Sequence, residues 1–526
     1  MAPRLWTTPS RRNFARTFDR TFDVIVVGAG GSGLAAACSA AEHGARVLVL
    51  EKRPQPGGTT GIAVGAFTAA GTSFQRRAGI DDSVADHVED AAQFAAPDIE
   101  ARNNDDLRRY LLEEAAETLA WLRGFGLSFV GPNKEPPNRV PRMHNVVPGA
   151  KAYITALQLE LHRAGATLIC DAAVESLTRT EAGRVVGVQA SVDGRSEPFH
   201  ASRGVILAAG DYANNAEVIA QYKGHGYRQV EGINPFATGE GHELARRAGA
   251  RLINMDVTYG PELRFVPPSR KPFQQCLPAS GVWSRVMGTV ASRLPGWVMN
   301  RLIKRLLVTW QHPENTLYDD GAILINRDGR RFVNETSWPD RERRVAAQPG
   351  SIAFVLLDGR LVKRYSKWPH FISTAPDIAY AYVKDYKRLR PDVTRSGASP
   401  NDVASRAGID AQILQKTIQA FNDYVDGKRA DSLGRSDDAH RLESGPWVLL
   451  GPVKAYFTTT EGGAAVNRRL QVLDEEGGTI AGLYAVGQNG LGGMVLWGHG
   501  LHIAWAMTSG RLAGRFVMDE AANDSP

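Results

Sequence analysis

Short apolar runs rich in β-branched residues stand near both ends of the chain, and each stops at small residues. Asp23-Val24-Ile25-Val26-Val27 is the first, and it reads as a buried parallel strand. An Ala-rich stretch from Leu34 to His43, closed by Gly44, predicts a helix. Arg46 to Leu50 predicts a second strand, which ends at the acid Glu51. Gly204 to Gly210 and Gly482 to Gly487 repeat the pattern of a strand running into small residues. The middle of the chain is richer in Trp, Pro and Arg, and Pro268-Ser269-Arg270-Lys271-Pro272 reads as a loop. Within it Val298, Leu302 and Leu306 recur at helical spacing with Arg301, Lys304 and Arg305 between them, which predicts an amphipathic helix.

Composition narrows the class. A chain of 526 residues exceeds the roughly 250–300 residues at which one core stops growing, so at least two domains are expected. The net charge of +6 is modest, and no nucleic-acid module accompanies it, so a nucleic-acid partner is not expected. Cys38, Cys170 and Cys276 are far apart, with no paired spacing. Cys38 and Cys170 sit among apolar residues and read as small core residues, which suits a reducing, cytoplasmic compartment. No metal site is expected. No run reaches the roughly 18 apolar residues of a membrane span. Arg11-Arg12 within Ser10–Arg16 has the look of a twin-arginine export signal. The apolar segment such a signal needs does not follow, so residues 1–20 are expected to be a disordered basic leader.

Gly28-Ala29-Gly30-Gly31-Ser32-Gly33 follows the first strand at once and opens the first helix. This is the dinucleotide fingerprint in its required context. Gly28 allows the tight turn, Gly30 the approach of backbone to a pyrophosphate, and Gly33 close helix–strand packing. The helix N-terminus, with Gly31 and Ser32, offers N–H groups and partial positive charge to phosphates. Glu51 and the adjacent Lys52 fall where ribose hydroxyls and phosphates lie. The glycine pair Gly57-Gly58, followed by Thr59 and Thr60, resembles the second cofactor segment of two-domain flavoproteins, a resemblance that implies a flavin dinucleotide. No second GxGxxG follows. Electrons are therefore expected to pass between a small-molecule substrate and an external acceptor, a quinone or an electron-transfer protein.

These motifs, with Ala237-Thr238-Gly239-Glu240-Gly241-His242, Gly321–Asn326, Gly329–Glu335, Glu461-Gly462-Gly463 and the stretch from Gly498 to Gly514, resemble the fumarate reductase and succinate dehydrogenase flavoprotein superfamily. That superfamily also contains 3-ketosteroid dehydrogenases. The resemblance implies an α/β fold, with a Rossmann-type FAD-binding domain split in sequence by an inserted α+β capping, substrate-binding domain. The expected segments are 21–255, 256–444 and 445–522. It further implies cofactor contacts at Val174, Ala209, Gly210, Gly239, His242, Gly487, Gly500 and Ile503. Some members attach FAD through a histidine after the glycine pair. Residues 57–73 contain none, so noncovalent FAD is expected.

The substrate end departs from the fumarate pattern. Pro339 stands where the family's proton-donating Arg belongs, Thr459 where a His belongs, and Trp497 where a substrate Arg belongs. Loss of three basic groups disfavours a dicarboxylate, since unpaired anions in a dry site are costly. Gly498-His499-Gly500 leading into Ala506-Met507-Thr508-Ser509-Gly510 is similar to the ketosteroid branch. There the second glycine's N–H, here that of Gly500, helps hold the ketone. Leu496 replaces one family tyrosine, and the other falls near Trp338–Asp340 without a match. Asp340, Arg341 and Tyr318 are the acid/base candidates, His499 is the carbonyl-recognition candidate, and Trp497 and Leu496 are expected substrate walls. The His312-Pro313 pair is similar to one in the fumarate branch.

The expected reaction is FAD-dependent desaturation α,β to the carbonyl of a cyclic or steroid-like ketone. The alternative is ene-reduction of an unsaturated acid or enone, with Arg341, His499 and Arg142 around a carboxylate. A third reading is a flavoprotein subunit that docks to an electron-transfer partner. Residues 283–310 are read either as an ordinary cap helix or as a peripheral membrane contact.

Overall fold

The computed structural model describes residues 20–268, 277, 281–291, 296–375 and 379–519. The leader expected at 1–20, apart from Arg20, lies outside them, as do Cys276 and most of the loop read at 268–272.

The strand Thr21–Val27 sits centrally in an eight-stranded sheet. Val47–Leu50 pairs parallel on one side and Arg195–Leu207 on the other, with Thr167–Ile169 beyond the first and Thr479–Ala485 beyond the second. Val24–Val27 and Val47–Leu50 are buried on both faces, which is why they read as unbroken Val, Ile and Leu rather than as alternation. The helix Gly31–Glu42 begins at the third glycine of the turn. It packs along the C-terminal helix Leu501–Asp519, with Gly510 and Gly514 so close to it that an added Cβ would fall 2.4 Å from backbone oxygens of Ser32 and Ala36. The two halves of the first core therefore join through these glycines.

A second apolar core gathers around a six-stranded sheet built on the long strand Trp447–Phe457, which pairs with Ala353–Leu357, Glu262–Phe265 and Thr394–Gly397. The chain thus leaves and re-enters the first sheet as the split organisation requires. Trp447–Phe457 is built into the second core by its ladder, and the chain's return to the first core follows Phe457. Tyr212, Ala213, Ile219 and Val230 also pack on the second core. Cys38 is buried, while Cys170 is half-buried at a sheet edge.

The amphipathic stretch forms two helices, Gly281–Ala291 and Gly296–Trp310. No helix of the described residues is long and apolar enough to cross a membrane.

Candidate active site

The C-terminal ends of the parallel strands open into a cleft of about 370 Å³ between the two cores. Gly28, at φ +106°, turns the chain out of the first strand, and Leu50 O accepts its N–H at 2.8 Å. A Cβ on Gly33 would fall 1.9 Å from Gly28 O, so Gly33 does not line the cleft but lets the helix press against the turn. At Gly30 the nearest atom to such a Cβ is Gly58 Cα, 3.8 Å away, which leaves this face open for a ligand. Gly28, Gly30, Gly31, Ser32, Gly58, Thr59 and Thr60 all border the cleft.

Glu51 borders it too, and is oriented by backbone: its Oε2 accepts from Ala29 N at 2.8 Å and its Oε1 from Arg53 N at 2.9 Å. Each oxygen keeps a lone pair for a ribose hydroxyl. Lys52 also borders the cleft but is committed to Glu240 and Thr238, each at 2.7 Å. Val174, Ala209, Gly210, Gly487, Gly500 and Ile503 complete the expected cofactor wall.

Two expected cofactor residues stand behind that wall. Gly239, at φ +82°, caps the helix Glu240–Arg247 against Tyr212. Buried His242 donates from Nε2 to Gly462 O at 2.9 Å and accepts from Asn489 Nδ2 at 3.2 Å on Nδ1, a tautomer assigned from the network. Burial holds it neutral, with its pKa pushed down to about 4. Asn489 in turn accepts from Ala209 N at 2.6 Å and donates to Gly210 O at 2.9 Å. His242 thus steadies the wall through Asn489, because the helix that carries it packs inward.

The far end of the cleft is assembled from distant segments. Tyr259, Arg264, Gln311, Thr458, Thr459, Gln488, Trp497, His499 and His502 line it. Tyr259 and Trp497 rings lie 5.7 Å apart. His499 projects into the cleft, its side chain 62 % exposed there although the residue lies deep in the molecule. Glu135 Oε1 accepts both from its Nδ1 at 2.5 Å and from its backbone N–H at 2.7 Å, and Thr68 donates to its carbonyl at 2.6 Å. The hydrogen bond to Glu135 raises the His499 pKa, outweighing burial. Next along, Gly500 is at φ +85°, with Thr68 Oγ1 2.8 Å from where a Cβ would be.

Other charges at this end are paired. Glu461 Oε1 is 3.0 Å from His502 Nε2, and Arg264 reaches Glu262 at 2.8 Å and Thr458 at 3.1 Å. Burial pushes Glu262 up, but Arg264 and His312 overcome it and leave its pKa low. His312, held low by burial, has Glu262, Arg264, His499 and Arg341 as charged neighbours. Asp211, on the cleft wall, is raised to about 6 by burial, against the N–H it accepts from Ala213.

Five residues expected at the substrate end do not reach the cleft. Leu496 is fully buried in the first core, since the loop before Gly498 turns it inward. Arg341 is buried over the Tyr318 ring at 4.4 Å and is bound to Glu342 at 2.6 Å, to Asn315 at 2.8 Å and to Glu335 O at 3.0 Å. Tyr318 is closed in beneath it. Asp340 lies on the outer side of the helix Asp340–Ala346, near Arg343 and Arg344. Arg142, the further cation of the acid-binding alternative, is fully buried between Asp82 and Asp90.

Sequence reading missed Glu135, Tyr259, Arg264 and Asp211. Arg264 had a local signal, the alternation Glu262-Leu263-Arg264-Phe265 that puts two charges on one strand face. Glu135, in a Pro-flanked loop, had none. Among the described residues no group of His, Cys, Asp and Glu could hold a metal.

A glycine-lined turn at a helix N-terminus, an acid at the second strand end and a polar pocket at the far end define a dinucleotide-dependent oxidoreductase. The chain belongs to the FAD-binding family described as "FAD binding domain" (FAD_binding_2), whose model matches residues 23–498. It is 27% identical over 502 residues to a probable fumarate reductase of Shewanella frigidimarina, covering 94% of this chain and 74% of the relative. It is 24% identical over 594 residues to the 4-oxocyclohexanecarboxylate 2-dehydrogenase of Sinomonas cyclohexanicum, covering 95% and 94%. The open conformation of a flavocytochrome c3 fumarate reductase superposes with TM-score 0.71 at 25% identity, covering 96% of this chain and 79% of that one. A 3-ketosteroid Δ1-dehydrogenase from Sterolibacterium denitrificans shares the fold with TM-score 0.64 at 20% identity, covering 95% of this chain and 100% of that one. The protein is an FAD-dependent oxidoreductase acting on CH–CH groups, of the fumarate reductase type.

Proposed function

We propose that this flavoenzyme desaturates a cyclic or steroid-like ketone α,β to its carbonyl. The observation that carries the reading is the His499–Glu135 pair at the end of a cleft walled by Tyr259 and Trp497. His499, held protonated by Glu135, donates toward the ketone oxygen and offsets the negative charge that develops there. The N-terminus of the helix Leu501–Asp519 adds its partial positive charge at the same place. His502, backed by Glu461, takes the α-proton. Trp497 and Tyr259 stack along the ring of the substrate and exclude water. Gly30, Gly31, Glu51 and Gly58 would hold FAD without a covalent link, and it would supply the two-electron acceptor for the β-hydride. An external quinone or electron-transfer protein then receives the electrons. The dehydrogenase relative, whose name specifies an oxocyclohexane, supports the substrate class.

The test is anaerobic mixing of the purified holoenzyme with a panel of saturated cyclic ketones. Bleaching of the flavin is expected; oxidised flavin across the whole panel would overturn the reading. A second reading, reduction of an unsaturated monocarboxylate, is favoured by Arg264 on the cleft wall. Reduced viologen oxidation that depends on an unsaturated acid, and not on an enone, would select it.

A further inference from the structure

We infer that the helices Gly281–Ala291 and Gly296–Trp310 form a surface that lies on an anionic lipid bilayer beside the mouth of the cleft. The first helix has its large apolar residues outside. Trp283, Val286 and Val290, spaced to share one face, are 55%, 47% and 52% exposed. Its inner face carries small residues: Ser284 is fully buried and donates to Val147 O at 2.7 Å, and a Cβ on Gly288 would fall 2.8 Å from Ser128 Cβ. A helix facing water has the reverse arrangement. One whose apolar face is outermost and whose flanks are basic suits the interfacial zone of a membrane.

Charge identifies the partner. Residues 263–313 contain eight Lys or Arg and no Asp or Glu, while the whole chain carries +6. The basic excess of the protein therefore resides in this segment, and the remainder is slightly acidic. On the second helix Arg301 and Arg305 are exposed beside Leu302. An acidic protein partner would answer the charge but not the outward Trp and Val residues. An anionic bilayer answers both.

The position also fits. Strand Met143–Val147, to which Ser284 is bonded, runs past Gly65, where a Cβ would meet Val146 at 2.6 Å. The preceding Val64 is exposed and lines the cleft. The lipid-facing helix therefore adjoins the cleft rim, which lets an apolar molecule dissolved in the bilayer reach the cleft without crossing bulk water.

The experiment is co-sedimentation of the full-length holoenzyme with vesicles of phosphatidylcholine alone or with about 30% phosphatidylglycerol, at low and high salt. Binding to the anionic vesicles, weakened about tenfold or more by high salt, is expected. The variant Val286→Glu/Val290→Glu and, separately, Arg301→Ser/Arg305→Ser are each expected to lower the partition about tenfold. Flavin absorbance and thermal melting should be unchanged in both, since neither pair touches the cleft. Equal, negligible sedimentation with both vesicle types overturns the inference. So does sedimentation without lipid, or a concentration-dependent dimer on gel filtration that either variant abolishes, which would assign the face to a second copy of this chain. None of these outcomes depends on which substrate is turned over.

Discussion

His499 Nδ1 and its own backbone N–H both meet the same oxygen of Glu135, at 2.5 and 2.7 Å, across 364 residues of sequence. A carboxylate with this double hold sets the ring's direction and its charge together. The other oxygen, Oε2, is buried without a partner, so no second donor competes with His499 for this carboxylate.

Glu135→Gln should therefore lower the His499 pKa toward its ordinary value near ~6.5. Turnover is expected to fall about tenfold at pH 8 and less at pH 6, with the alkaline limb of the pH–rate profile moving down. The stability effect has a definite sign. A histidine whose pKa is raised on folding contributes stability that is full below its unfolded pKa and vanishes as pH rises through the folded one. Melting temperatures of the two proteins should differ at pH 6 and converge at high pH.

Gly33→Ala would drive a methyl group into Gly28 O, with only 1.9 Å available. The turn must open, at about 3 kcal/mol. Purified protein should carry little FAD, read from the ratio of absorbance at 450 and 280 nm (~0 compared with the parent, as overpacking at a ligand turn predicts).

Arg264→Ala separates the two readings of the substrate. An unsaturated acid would lose a charge-assisted hydrogen bond, and its KM should rise about tenfold or more. A neutral cyclic ketone should keep its KM within about threefold, because it has no charge for Arg264 to meet. Steady-state kinetics with one substrate of each kind decide.

Arg341→Ala should destabilise the fold by about 3 kcal/mol, since it strands the buried Glu342. In the folded enzyme kcat should stay within about twofold of the parent. Asp340→Asn should change stability by no more than about 0.5 kcal/mol and leave turnover intact. Chemical denaturation combined with turnover checks both, and a large loss of kcat in either would return these residues to the site.

The cofactor half of the site was legible because its parts are contiguous. A strand, a glycine turn, a helix and a second strand with its acid follow one another between Thr21 and Glu51, so local spacing and hydrophobic pattern determine where they sit. Val174, Ala209 and Gly487 came from the family resemblance rather than from local spacing, and all three border the cleft. The substrate end obeys no local rule. Its members come from Glu135, Tyr259–Arg264, Gln311, Thr458–Glu461 and Trp497–His502, and only the docking of two cores brings them together. Spacing from the Asn334-Glu335 motif pointed to Asp340 and Arg341, yet burial against Glu342 and Tyr318 turns Arg341 away. Charge pairing across such distances depends on which side chains share one dry space. Sequence specified the strands and turns that grip the dinucleotide; packing of the cap against them selected the groups that face the substrate.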